Sequence, residues 1–355
     1  MSDITPGKPV RTYAVGGKWR DWSTDEIVAQ NKNYLHGWKC GAGTDSLFID
    51  MDGDVWTASC RVGGKLGNIF DSVTTPTGWI ECTKNVCSCG ADLFIPKSKT
   101  IEIKNLSSVL RKTKRLPSNL DHNDNSQEDF VAMERTHASD RKQVYWELGR
   151  RCNYDCSYCW PWIHNNTDKH KSFSELMDAM STLEDSFLKG TPANFIISGG
   201  EPTTNSAFLD LLRFLHASGH HISLHSNGSR KSDYYEEVLK YGDLNLSVHF
   251  EFYDRSKFVD LVKALALAKG TSSTQLGHLE VKMMSTPNKV QESKDLASEL
   301  QKLPFFKDTC TWAYVPIRGG LDNNKAAKDS TSGSEVMIGY TKADLKLFGA
   351  GKIDE

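Results

Sequence analysis

Long apolar runs are missing from this 355-residue chain: none approaches the roughly 18 residues that a membrane-spanning helix needs. An excess of one charge is missing too. Forty-three Lys and Arg stand against 45 Asp and Glu, a formal charge of −2, which excludes the strong basic balance of a dedicated polyanion binder. A local basic run, Arg111-Lys112-Thr113-Lys114-Arg115, reads as a solvated stretch beside a linker. The residues Met1-Ser2-Asp3-Ile4-Thr5-Pro6 lack the basic-then-apolar pattern of an export signal, so a reducing cytoplasmic setting is expected. A hydrophobic share of 38% and an aromatic share of 10% exclude a chain without a core. The length exceeds that of a usual single domain, so two are expected.

Cysteine, by contrast, is plentiful. In a reducing compartment nine thiols fit metal ligation or catalysis better than disulfides. They fall into an early set (Cys40, Cys60, Cys82, Cys87, Cys89), a central triplet (Cys152, Cys156, Cys159) and Cys310, which reads as a buried inert thiol. Between the first two sets, residues 117–129 are polar and rich in turn formers, as in a linker. The expected division is a small N-terminal β-rich Cys cluster domain at 1–115, a linker at 116–140, a repeating strand–helix region at 141–320 and a C-terminal extension at 321–355. In the first of these, 46–50 and 55–60 around Asp52-Gly53 predict a hairpin.

Downstream, the pattern predicts strands at 144–148, 194–198, 221–225, 244–250, 278–283 and 311–317. Apolar residues recur at helical spacing between them: Phe173, Leu176, Met177, Met180, Leu183 and Phe187; then Phe208, Leu211, Leu212 and Leu215; then Phe258, Leu261, Val262 and Leu265. A further helix is expected across 290–303. These stripes are core faces. Six strand–helix units predict an α/β fold, a partial (β/α)6 TIM-like barrel that stays open because eight units are needed to close it.

The triplet Cys152-Asn153-Tyr154-Asp155-Cys156-Ser157-Tyr158-Cys159 follows directly on the first of these strands. Three thiolates on one short loop can hold a cubane iron–sulfur cluster while leaving one iron open to a small molecule. Spacing alone also permits a zinc knuckle, with His164 as its fourth ligand. The second strand runs into Gly199-Gly200-Glu201-Pro202-Thr203, where glycines allow close backbone approach and Glu201 can accept from an ammonium; a plain strand-to-helix turn is the bland alternative. The third strand ends in His225-Ser226-Asn227-Gly228. In the fourth, alternation sends Ser247, His249 and Glu251 to one side, although an inward histidine is ordinarily just satisfied in a core. Every one of these signals sits toward a strand's C-terminal end, where parallel α/β folds place their sites.

Taken together, these residues resemble the radical S-adenosylmethionine (radical SAM) superfamily over residues 140 to about 320. The resemblance implies a [4Fe-4S] cluster on Cys152, Cys156 and Cys159, and S-adenosyl-L-methionine on its open iron. It implies Tyr158 near the adenine and Gly199, Gly200, Glu201 and Pro202 around the methionine amino group. Ser226, Asn227, Ser247 and His249 are further candidate contacts to the cofactor. An external electron donor such as a flavodoxin or ferredoxin is implied as a partner, and nucleic acid is not. The Trp160-Pro161-Trp162 loop would shield the cluster.

Early in the chain, Cys40-Gly41-Ala42-Gly43, residues 47–53, Cys60 and Gly67-Asn68-Ile69 are similar to a SPASM or twitch domain, which carries an auxiliary cluster. Here it would precede the barrel instead of following it. Six residues separate Gly53 from Cys60 where the family has four. By this resemblance Cys40 and Cys60 bind one auxiliary [4Fe-4S] cluster, completed by two of Cys82, Cys87 and Cys89; a zinc ribbon is the other reading of these thiols. Enzymes with such domains often modify peptides, so a peptide or protein side chain is the expected substrate. Radical modification of a nucleoside, nucleotide, sugar or other small metabolite is the alternative, and a non-catalytic iron–sulfur or zinc protein a remote one. No acid or base among the carboxylates stands out.

Overall fold

The computed structural model describes residues 10–14, 19–87, 90–99, 130–135, 141–159, 164–317 and 340–347. Cys89, the Trp160-Pro161-Trp162 loop, the basic run at 111–115, all of 117–129 and most of 321–355 lie outside them. The chain divides into two compact units, one made of Met1–Leu47, Trp56–Lys65 and Thr75–Arg141, the other of Phe48–Val55, Leu66–Thr74 and Lys142–Glu355.

Among the described residues nine short strands precede residue 141: β1 (Val10–Ala14), β2 (Trp19–Trp22), β3 (Lys39–Cys40), β4 (Ser46–Ile49), β5 (Asp54–Trp56), β6 (Lys65–Asn68), β7 (Ile80–Glu81), β8 (Lys97–Ser98) and β9 (Phe130–Arg135). In the first unit six of them form an antiparallel sheet in the order β2-β1-β9-β8-β3-β7. Its core gathers Val10, Trp22, Ile27, Leu35, Trp38, Leu93, Phe130 and Met133. Within the span read as linker, Phe130–Arg135 is thus a central strand of this sheet: its alternation Phe-Val-Ala-Met is masked in sequence by the polar stretch before it. The expected hairpin is present as β4 and β5, turned at Gly53 with φ +79°.

The second unit holds β10 (Lys142–Glu147), β11 (Ala193–Ser198), β12 (His221–Ser226), β13 (Asp243–His249), β14 (Leu279–Ser285) and β15 (Cys310–Pro316), each parallel to the next. All six match the expected strands to within two residues. One face of each of β10 to β14 is buried and largely apolar, as with Val144, Phe195, Ile197, Leu224, Leu244, Leu246, Val281 and Met283, whereas β15 buries only Cys310. The helices α1 (Phe173–Leu183), α2 (Phe208–Ala217), α3 (Ser232–Tyr241), α4 (Arg255–Thr271) and α5 (Val290–Leu300) alternate with the strands. α1 opens on a capping box in which Ser172 Oγ accepts from Glu175 N and the Glu175 carboxylate accepts from Ser172 N.

Two features were not expected. α3 buries only Tyr235, Val238 and Leu239, too sparse a stripe to read as periodic. The second unit's sheet also continues past β10 into β4, β5 and β6, giving the order β15-β14-β13-β12-β11-β10-β4-β5-β6. The fold is mixed α/β, and no closed barrel is present among the described residues.

Candidate functional site

The site is built on the loops that leave β10 and β11, which are laced together by backbone bonds. Leu148 N donates to Ser198 O at 2.8 Å, Gly200 N to Gly149 O at 2.7 Å and Glu201 N to Arg151 O at 2.8 Å. The paired glycines are what permit this. Gly199 has φ +123°, and a Cβ there would stand 2.6 Å from Gly149 O; a Cβ on Gly200 would strike the carbonyls of Arg150 and Arg151. The close approach that sequence assigned to a ligand is made to the cysteine loop.

Glu201 ties the next strand in. Its Oε1 accepts from Thr203 N (3.1 Å), Thr203 Oγ1 (2.6 Å) and Ser226 Oγ (2.9 Å), and its Oε2 from Asn227 N (2.6 Å). The carboxyl is 2% exposed, and burial pushes its pKa up against the pull of those donors. Four bonds nearly fill its acceptor capacity and leave room at Oε2. Ser226 Oγ also meets Tyr235 Oη at 2.7 Å, and Asn227 Nδ2 donates to Asn153 Oδ1 at 2.9 Å, back on the cysteine loop. Pro202 is buried as the first residue of a 3-10 turn.

β13 reaches the same loop from the other side. Tyr158 Oη and His249 Nδ1 lie 2.8 Å apart, with their rings stacked at 5.9 Å and 13°. Ser157 N and Oγ both donate to Glu251, at 2.7 and 2.5 Å. Tyr154 stacks on Phe252 at 5.6 Å. Burial drives the pKa of His249 down to about 4, so its ring is neutral near pH 7.

These elements enclose a cavity of about 560 Å³, part of it open to solvent. Cys152, Cys156, Cys159, Gly199, Gly200, Glu201, Ser226, Asn227, Ser247 and His249 all line it. So do Tyr154, His164, Ser198 and His225, which sequence reasoning did not place among cofactor contacts. Ser198 and His225 were legible as the last residues on the open face of their strands. Tyr158 and Pro202 are not among the residues that line it. Burial pushes the Cys156 thiol up to about 12, and burial raises Cys152 as well. Thiolates in this place therefore need a bound cation, and three of them on one loop suit a cluster with an open iron. His164 lines the same cavity with its Nδ1 buried and without a hydrogen-bond partner, while its Nε2 meets Asp155 at 2.8 Å. Among the described residues no three His, Cys, Asp or Glu side chains converge at single-ion spacing.

In the first unit, Cys40 ends β3, Cys82 follows β7, and Cys60 and Cys87 stand in loops. Cys40 and Cys60 share an apolar cluster with Ala42, Ala58, Val62 and Ile95, whereas Cys87 packs into the larger core beside Trp38 and Leu93. Lys97, 2% exposed, is the register partner of Cys40 across β3 and β8. Asp92 holds the loop of Cys60, accepting from Ser59 N at 3.1 Å, Ser59 Oγ at 3.0 Å and Cys60 N at 2.8 Å. Cys310 is 5% exposed, at the start of β15.

No curated protein matches the chain. Two crystal structures of SuiB from Streptococcus suis, one bound to precursor peptide SuiA and one bound to S-adenosylmethionine, are each 16% identical to it with a TM-score of 0.40. The match covers 58% of this chain and 44% and 45% of those chains, so it spans under half the length of either. Residues 146–280 match the family model described as Radical SAM superfamily, a stretch that takes in β11 to β13 and the strand-end loops just described. The chain therefore carries a radical SAM domain.

Proposed function

We propose that this chain is a radical SAM enzyme that takes a hydrogen atom from a peptide or protein side chain. Cys152, Cys156 and Cys159 would hold a [4Fe-4S] cluster, with S-adenosyl-L-methionine in the cavity beside it. When bound, the reduced cluster supplies the electron that splits the sulfonium of S-adenosyl-L-methionine into methionine and a 5′-deoxyadenosyl radical. The observation that carries this reading is the meeting, around one cavity, of a three-thiol loop with the C-terminal ends of β11, β12 and β13. The protein's part is placement and exclusion of competing hydrogen donors. Glu201 fixes the β11 and β12 loops and keeps room at Oε2 for an ammonium. Ser247 and His249 offer a hydroxyl and a neutral imidazole to the ribose and carboxylate.

The peptide substrate rests on the likeness of the N-terminal thiol segment to auxiliary-cluster domains, with the second cluster on Cys40, Cys60 and two of Cys82, Cys87 and Cys89. A flavodoxin or ferredoxin would deliver the electron. The test is anaerobic incubation of reconstituted protein with S-adenosyl-L-methionine and dithionite. We expect 5′-deoxyadenosine from the wild type and none from Cys156→Ala; iron-loaded wild type that forms none overturns the proposal. The unpartnered Nδ1 of His164 keeps a second reading, zinc held by the triplet and His164, although these side chains do not converge at single-ion spacing. Metal analysis separates the two, since zinc in place of iron at this loop, lost in His164→Ala, supports only the second.

A further inference from the structure

Ser157 stands between the last two thiols of the triplet, and both of its donors go to one side chain. Its backbone N–H reaches Glu251 Oε2 at 2.7 Å and its hydroxyl reaches Oε1 at 2.5 Å. Each carboxylate oxygen takes one bond, so the contact is bidentate and fixes the direction of the loop as well as its distance. Tyr158 on His249 and Tyr154 on Phe252 flank it, so three successive contacts press the cysteine loop to the end of β13. Of these, the Glu251 contact alone brings a formal charge, and it is made to the residue next to Cys156.

We propose that Glu251 is a positioning residue for the cluster, anchoring the Cys156–Cys159 turn and holding a negative charge beside it; the inference rests on the radical SAM reading of the triplet. Two consequences follow from the chemistry. A turn clamped between two of its three thiolates keeps both sulfurs aimed at one point before the cluster is present, which lowers the ordering cost of binding it. A fixed negative charge nearby disfavours adding an electron to the cluster, which holds its potential low, as a donor to a sulfonium requires. Glu251 is solvent-exposed, so water screens this second effect and keeps it modest.

The test uses full-length protein reconstituted anaerobically, with iron counted after desalting and the midpoint potential followed by electron paramagnetic resonance. Glu251→Gln keeps the shape and an acceptor oxygen and removes the charge. It should retain wild-type iron while reduction becomes about threefold more favourable, near 28 mV for a one-electron couple. Glu251→Ala should also lose about half of the triplet's iron on desalting, and Ser157→Ala should lose iron without moving the potential, because the charge remains. Unchanged potential in Glu251→Gln together with wild-type iron retention in Glu251→Ala overturns the proposal. A wild type that binds no iron at the triplet sinks the underlying reading instead, and the two failures are distinguishable.

Discussion

Single residues decide much of the behaviour of this cavity, and His225 shows how. It sits near the end of β12 on the open face, and burial, with Lys282 adding positive charge nearby, pushes its pKa down to about 3. Above about pH 6.5 it is neutral both folded and unfolded. Below that the unfolded chain binds a proton that the native chain refuses until near pH 3. The stability it contributes is therefore complete above 6.5 and drains away as pH falls toward 3, by up to about 1.4 kcal/mol per pH unit. His225→Gln should flatten the decline of melting temperature between pH 6.5 and 5 in metal-free protein; parallel profiles for variant and wild type would refute this. Glu201 gives a second case. Replacing it with Gln sets an NH2 group against donors that now meet a carboxylate, so a loss of about 1–3 kcal/mol is expected. Thermal melts at pH 7 should drop by several degrees. The sequence marked Glu201 as functional, yet its four protein donors come from Thr203, Ser226 and Asn227, and only the fold brings the last two to it.

At the scale of elements, the lacing of the β10 and β11 loops is the feature most open to attack. Gly200→Ala puts a methyl group into the carbonyls of Arg150 and Arg151, backbone that has no flexible end to yield. Overpacking of this kind costs roughly 1–3 kcal/mol. Because the strain falls on the cysteine loop, the variant should also bind less iron than wild type at equal folded fraction. Wild-type iron with only a lowered melting temperature would show that the two loops are not coupled. Which elements were legible follows the same physics. β10 to β14 were readable because one face of each is buried and largely apolar, whereas β15 buries only Cys310. α3 escaped because its buried face rests on Tyr235, Val238 and Leu239 amid charged residues. β9 escaped because its pairing to β1 and β8 lies more than 30 residues away in sequence, out of reach of any local pattern. The three thiols of the site were plain from spacing, whereas the grip of Glu251 on Ser157 spans 94 residues and belongs to the tertiary structure.

For the whole molecule, the question is whether the first unit's thiols hold a metal of their own. Lys97 bears on it. Its ammonium is buried, donating to Ile95 O at 2.9 Å and to Asp92 O. Burial alone would lower its pKa, but negative charge at Cys87, Cys40, Asp92 and Cys60 outweighs that and raises it. A buried cation persists only where anions stand close, and protonated thiols would take away the negative charge at Cys87, Cys40 and Cys60 and leave that of Asp92. Thiolates bound to a metal would supply the rest, since a site of four thiolates would carry net negative charge for Lys97 to offset. At roughly four irons for each [4Fe-4S] cluster, reconstituted wild type should carry about eight per chain. The double variant Cys40→Ser, Cys60→Ser should fall to about four and still form 5′-deoxyadenosine with dithionite, because the triplet is intact. Near four irons and one zinc in the wild type rejects the auxiliary cluster and leaves a thiolate-zinc staple with Lys97 as its counter-ion. Lys97→Met then discriminates further: an iron cluster deprived of its buried cation becomes harder to reduce, while zinc, which has no redox step, shows no potential to shift.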